Sequence, residues 1–127
     1  MKRPIQMVLK TTAIAVLATS LMVVPARSAF AHAVVTESSL SREPVKAQHA
    51  AKVVLFFNSN VELSLSKVFW VSEGDIYHQA EIARGKKPGE LHIKLPPLEP
   101  GDYAIKYKVF AADGHLTEST IRFHVAP

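Results

Sequence analysis

The stretch that decides the fold is Asp102–Phe110, DYAIKYKVF. Tyr103, Ile105, Tyr107 and Val109 fall on one side of an extended chain, and Lys106 and Lys108 on the other. A helix would scatter these apolar residues around its axis, whereas a strand gathers every second residue on one face. The same period returns downstream, where Ile121, Phe123 and Val125 alternate with Arg122 and His124. It also appears upstream, where Leu91, Ile93 and Leu95 alternate with His92 and Lys94. Each segment reads as a strand with one buried and one wet face. Lys52–Phe57 (KVVLFF) and Lys67–Val71 (KVFWV) are unbroken apolar runs, as expected of strands at the centre of a two-sheet core. Ala33–Thr36 makes a short first strand and Ile76–Ile82 a weaker one.

Turn residues separate these segments: Ser41-Arg42-Glu43-Pro44, Asn58-Ser59-Asn60, Glu73-Gly74-Asp75, Gly85–Gly89 and Pro96–Gly101. No stretch beyond residue 31 offers a capped helix of useful length. The fold predicted is all-β, a small Greek-key antiparallel β-sandwich or barrel of immunoglobulin-like type with about seven strands. Pro100-Gly101-Asp102-Tyr103 further predicts a tyrosine whose hydroxyl ties back onto the turn before its strand. There is no internal repeat and no second domain.

Residues 1–31 read as an address. Met1–Lys10 is basic, the thirteen residues Thr12–Val24 are uncharged and largely apolar, and Ala29-Phe30-Ala31 forms a small-x-small cleavage pattern. A membrane-spanning helix needs ~20 apolar residues, so this run is too short for an anchor. A secretory signal helix cut after Ala31 leaves a β domain of residues 32–127, exported to the periplasm and without a membrane span. The cut also changes the charge. Lys2, Arg3, Lys10 and Arg27 lie in the segment, which has no acid, so the 15 basic residues fall to 11 against 11 acidic ones. The +4 excess belongs to the signal, and nucleic acid is excluded as a partner. With no cysteine, the domain has no disulfide in an oxidising compartment. All three methionines (Met1, Met7 and Met22) also precede His32, so the mature protein contains no sulfur.

Two features bear on chemistry. A histidine with a free amino terminus can close a six-membered chelate ring on one metal ion through its amine and Nδ1. Both groups release their protons near neutral pH at little cost. Cleavage after Ala31 creates that chelate at His32. The second feature is Asp113-Gly114-His115, where residues two apart in an extended segment point the same way and present a carboxylate and an imidazole together. Together with His32 they make a nitrogen-rich, sulfur-free set suited to tetragonal Cu(II). A plainer reading stays open, because Asp-Gly is also a common turn dipeptide that closes a hairpin. His49, His78, His92 and His124 read as solvated side chains.

A cleaved signal followed by His32-Ala33, then Val53–Phe57, L-x-P-G-x-Y over Leu98–Tyr103, A-D-G-H over Ala112–His115 and F-x-V over Phe123–Val125 resembles the CopC family of periplasmic copper-binding proteins. The resemblance spans His32–Pro127. It implies a non-enzymatic Cu(II) carrier or buffer in copper homeostasis or resistance, holding one ion per mature chain. The implied ligands are His32 through amine and ring, Asp113 through its carboxylate and His115 through its ring. A CopD-type inner-membrane protein is the implied partner. The chain departs from the family pattern in three places. It has no methionine for the second, Cu(I) site of some members, Asn58-Ser59-Asn60 stands where an acidic residue is common, and Tyr107 stands where Trp is frequent.

Two other classes remain open at this point. Copper held by an N-terminal histidine also serves oxidative polysaccharide-cleaving enzymes, and a sandwich of this size can be a structural module that binds no metal.

Overall fold

The computed structural model describes residues 32–127, so the expected signal and its cleavage point lie outside the described residues. Eight strands follow in chain order: β1 (Val35–Ser38), β2 (Ala51–Phe57), β3 (Lys67–Ser72), β4 (Ile76–Gln79), β5 (Ile82–Arg84), β6 (Glu90–Leu95), β7 (Gly101–Phe110) and β8 (Leu116–Val125). They form two four-stranded antiparallel sheets, ordered β1-β2-β6-β5 and β4-β3-β7-β8. This is the expected all-β sandwich. The only helical pieces among the described residues are single 3-10 turns at Ser39–Ser41 and Leu63–Leu65. No helix among these residues is long and apolar enough to cross a membrane.

The period-two faces meet in the core. Val53 and Leu55 from β2 and Leu91 and Ile93 from β6 face Val68 of β3 and Ile105 and Val109 of β7, all 1% exposed or less. Each fully buried side chain of this kind contributes ~1.5–3 kcal/mol, so the apolar core stands in for the absent disulfides. The runs in β2 and β3 do occupy central positions in their sheets. Their outer faces are half covered rather than sealed. Lys87 lies over the Phe56 ring and Ser39 Oγ accepts the Val54 N–H, while Phe69 meets Tyr77 edge to face.

One segment divides differently from its sequence pattern. Ile76–Ile82 is not one weak strand but two, β4 at the edge of one sheet and β5 at the edge of the other. The chain turns the corner at Ala80, which is buried and donates its N–H to Val68 O at 2.8 Å, and Glu81, whose carbonyl accepts the Lys94 N–H at 3.0 Å. His78, Ala80 and Ile82 keep one alternating phase through the corner. Hence nothing in the pattern marks where the strand changes sheet.

The turn into β7 is as expected. Tyr103 Oη donates to Glu99 O at 2.8 Å, pinning the Pro96–Gly101 connection against the strand that follows it. The β7–β8 hairpin then runs ten residue pairs, from Gly101↔Val125 to Phe110↔Leu116. Its tip, Ala111–His115, lies at the same end of the sandwich as the chain start and the Asn58–Asn60 turn.

Candidate metal centre

The hairpin tip is built by glycine geometry. Ala111 donates its N–H to His115 O at 2.9 Å, and Gly114 donates to Ala111 O at 2.9 Å. This leaves Ala112, Asp113 and Gly114 as a three-residue loop of the turn-plus-bulge kind, which needs a left-handed residue in third place. Gly114 fills it at φ +86°. The Asp113 carboxylate folds back over the loop. Its Oδ1 accepts the His115 N–H at 3.0 Å, and Oδ2 lies 3.1 Å from His115 Nδ1. Asp113 and His115 are thus brought together as the sequence implies, but by a turn and not by strand alternation. The loop is the turn that the Asp-Gly dipeptide predicts, and it leaves one carboxylate and one imidazole side by side.

Hydrogen bonding by the His115 N–H holds the Asp113 carboxyl below its usual range, and partial loss of water works against it. The imidazoles of His115 and His32 add to the lowering. Asp113 is therefore a carboxylate at neutral pH, and it gives this end of the molecule a fixed negative charge beside two imidazoles.

His32 arrives from the other end of the chain. Its ring centroid lies 5.7 Å from that of His115, edge to face at 77°. Two anchors set this approach. Ala33 is fully buried in the core. Beyond it, Val34 donates its N–H to Asn58 Oδ1 at 2.9 Å and accepts the Asn58 N–H on its carbonyl at 3.0 Å. Two residues on, Asn60 O accepts the Ala112 N–H at 3.0 Å. The Asn58–Asn60 turn thus braces both the chain start and the hairpin tip. The sequence marks Asn58-Ser59-Asn60 as a turn and as a place without a carboxylate, but not as a brace. An Asx residue next to a strand end was the available signal for a capping role.

All three sequence-predicted site residues therefore meet at one exposed end of the sandwich. Among the described residues, however, no three His, Asp or Glu side chains are already arranged to bracket an ion. Asp113 and His115 engage each other, and an incoming cation would take over their facing atoms. The donor set fits a borderline divalent cation: two imidazoles and one ionised carboxylate, with no soft sulfur. The other histidines lie elsewhere and have local partners. His49 donates to Ala47 O at 2.8 Å, and His78 stacks on Trp70 at 3.7 Å between centroids. His92 meets Glu90 at 3.0 Å and His124 meets Asp102 at 2.7 Å.

The family model of the CopC domain matches residues 35–126. The chain belongs to the CopC family. CopC proteins are copper-binding proteins of copper resistance and not enzymes, which removes the oxidative-enzyme reading. Among solved structures, the chain is similar to CopC from Methylosinus trichosporium OB3b. The two share 26% identity at a TM-score of 0.63, over 76% of this chain and 95% of that one. It is also similar to PcoC, a methionine-rich copper resistance protein from Escherichia coli. Here the identity is 22% and the TM-score 0.54, over 75% of this chain and 99% of that one. The second likeness concerns the fold alone, and the two compositions differ, since this chain has no methionine after Met22. No curated relative matches the chain.

Proposed function

We propose that this CopC-family protein is a periplasmic Cu(II) carrier or buffer that binds one ion per mature chain. Cleavage after Ala31 turns the His32 nitrogen into an amine, and that amine and the His32 ring grip the ion from one side. The His115 ring and the Asp113 carboxylate complete the set, and the carboxylate offsets part of the ion's charge. The observation that carries this reading is the 5.7 Å approach of the His32 and His115 rings across opposite ends of the chain, beside an ionised Asp113.

Copper is cargo here, so the site must release it. Imidazole, amine and carboxylate favour Cu(II), and the soft thiol or thioether donors preferred by Cu(I) are missing from residues 32–127. Reduction therefore weakens binding and serves as the release step. A CopD-type inner-membrane protein is the proposed recipient.

The test begins with the intact mass of the exported protein, which must correspond to a first residue of His32. Titration with Cu(II) should then saturate at one equivalent, and His115→Ala should lower affinity by at least a hundredfold with the fold intact. A different first residue overturns the amine ligand. Unchanged affinity in His115→Ala returns the protein to a sandwich module without this metal site. Equal affinities for Cu(II) and Cu(I), each measured against a competing chelator, overturn reductive release.

A further inference from the structure

The four sheet edges of this sandwich are not alike. β1 and β4 have four residues each and β5 has three, and the β1 pairing is broken by a register shift between Val35 and Glu37. Short or irregular edges of this kind resist pairing with other chains. β8 is the exception. It is ten residues long, LTESTIRFHV, with no proline, no lysine and an unbroken register against β7. Among the described residues no strand pairs with the other side of Leu116–Val125, and just past its end Lys46 and Ala126 form an isolated parallel bridge.

The hairpin tip fixes which backbone groups that edge presents. Ala111 and His115 form a hydrogen-bonded pair, so antiparallel alternation gives β7 the bonds of Thr117, Ser119, Ile121, Phe123 and Val125. Leu116, Glu118, Thr120, Arg122 and His124 then aim their N–H and C=O groups outward. A second strand added antiparallel must match outward residues to outward residues, so the register can move only in steps that keep this parity.

Charge selects among those registers. Centring the pair on Glu118 sets two glutamates opposite each other, and centring it on Arg122 does the same with two arginines; like charges in that position are destabilising. Centring it on Ser119 sets Glu118 against Thr120 and Arg122 against Leu116, and centring it on Ile121 sets Arg122 against Thr120 and Glu118 against His124, so neither register joins the two opposite charges. With Thr120 at the centre, Glu118 of each copy faces Arg122 of the other, twice, and Leu116 to His124 are all paired. Within the chain, Glu118 meets only Lys108, at 3.5 Å, and Arg122 has no carboxylate partner among the described residues. Arg122 therefore has a cross-strand place waiting for it.

We propose that β8 is a self-recognition edge, through which two copies of this protein pair about Thr120 into a two-fold dimer with one continuous eight-stranded sheet. The interface is isologous and closed, so it yields dimers and not fibres. The two Asp113–His115 loops sit at opposite ends of the joined sheet, each next to the last residues of the other copy. The dimer is independent of copper.

Sedimentation velocity of the purified protein should show a concentration-dependent monomer–dimer equilibrium, unchanged by chelator or by His115→Ala and weakened by high salt. Hydrogen exchange should show amide protection at Glu118, Thr120 and Arg122 that grows with protein concentration, since these N–H groups face solvent in the monomer. Thr120→Pro deletes the central outward N–H without removing a β7 bond, a position where an edge strand tolerates proline. It should shift the dimerisation constant at least tenfold towards monomer. Glu118→Arg and Arg122→Glu alone should do the same, and the two together should restore the dimer. A wild-type protein that stays monomeric up to millimolar concentration overturns the proposal, as does a dimer that needs copper. So does a failure of the double charge exchange to rescue dimerisation, which keeps the test decisive even if Thr120→Pro misfolds.

Discussion

Asn58 holds Val34 from both sides: its Oδ1 accepts the Val34 N–H at 2.9 Å, and its own N–H donates to Val34 O at 3.0 Å. One residue thus closes a two-bond clamp only two positions from His32. The side-chain half of the clamp is removable. Asn58→Ala should cost about 1 kcal/mol of stability, the ordinary net worth of one hydrogen bond. It should also lower Cu(II) affinity by up to about tenfold by loosening the His32 approach. Asn58→Asp keeps the acceptor and should retain most of both. Thermal unfolding and chelator competition on the three proteins decide the matter, and equal copper affinity in all of them would dismiss the clamp.

Gly114 stands at φ +86° with open space where a Cβ would go. The cost of a side chain there is therefore conformational and not steric. Gly114→Ala should destabilise the protein by ~1–2 kcal/mol, and Gly114→Asn by less, because Asn tolerates the left-handed region. Urea unfolding of both variants measures the difference. A neutral alanine would mean that the loop relaxes to another turn.

Glu90 faces His92 on the outer side of β6, with Oε1 3.0 Å from His92 Nε2 and Oε2 accepting the Lys87 N–H at 2.9 Å. These bonds, that to His92 foremost, hold the carboxyl below its ordinary value of 4.5. The unfolded chain therefore takes up the proton first. The contribution is fully present above about pH 4.5 and is lost as pH falls towards the lower folded value. Glu90→Gln should flatten the acid limb of the stability curve while changing the neutral limb less. Melting temperatures between pH 3 and pH 7 test it, and parallel curves for the two proteins would refute it.

Tyr103 secures the β6–β7 connection through a single donor bond to Glu99 O at 2.8 Å. Tyr103→Phe keeps the ring, which stacks on Phe123 at 5.7 Å, and deletes only the hydroxyl. The expected loss is about 1 kcal/mol with copper binding unchanged, because the connection lies at the far end of the sandwich from His115. A melt and a copper titration on the same sample separate the two effects.

Much of this molecule is legible from residue order because strands declare themselves locally. Tyr103 to Val109 and Ile121 to Val125 show their buried side by alternation alone, and the Tyr103 corner shows itself in four residues. The corner at Ala80 is hidden, since a strand that changes sheets without breaking phase leaves no local trace. At the candidate metal centre, the residue types in Asp113-Gly114-His115 suggest the chemistry, and the Asp-Gly dipeptide indicates the turn. Asn58 escaped notice because its role depends on a partner 24 positions away, across β1 and β2. Distance along the chain, and not subtlety of chemistry, separates what could be read from what had to be seen.

The long β7–β8 hairpin has a practical corollary. β8 starts beside His115 and carries the chain through ten residues to Val125, ~33 Å away at the usual rise of an extended strand. A fluorophore, surface tether or purification handle joined after Pro127 would therefore sit a full molecular length from Asp113 and His115. The same attachment ahead of His32 would lie on top of them.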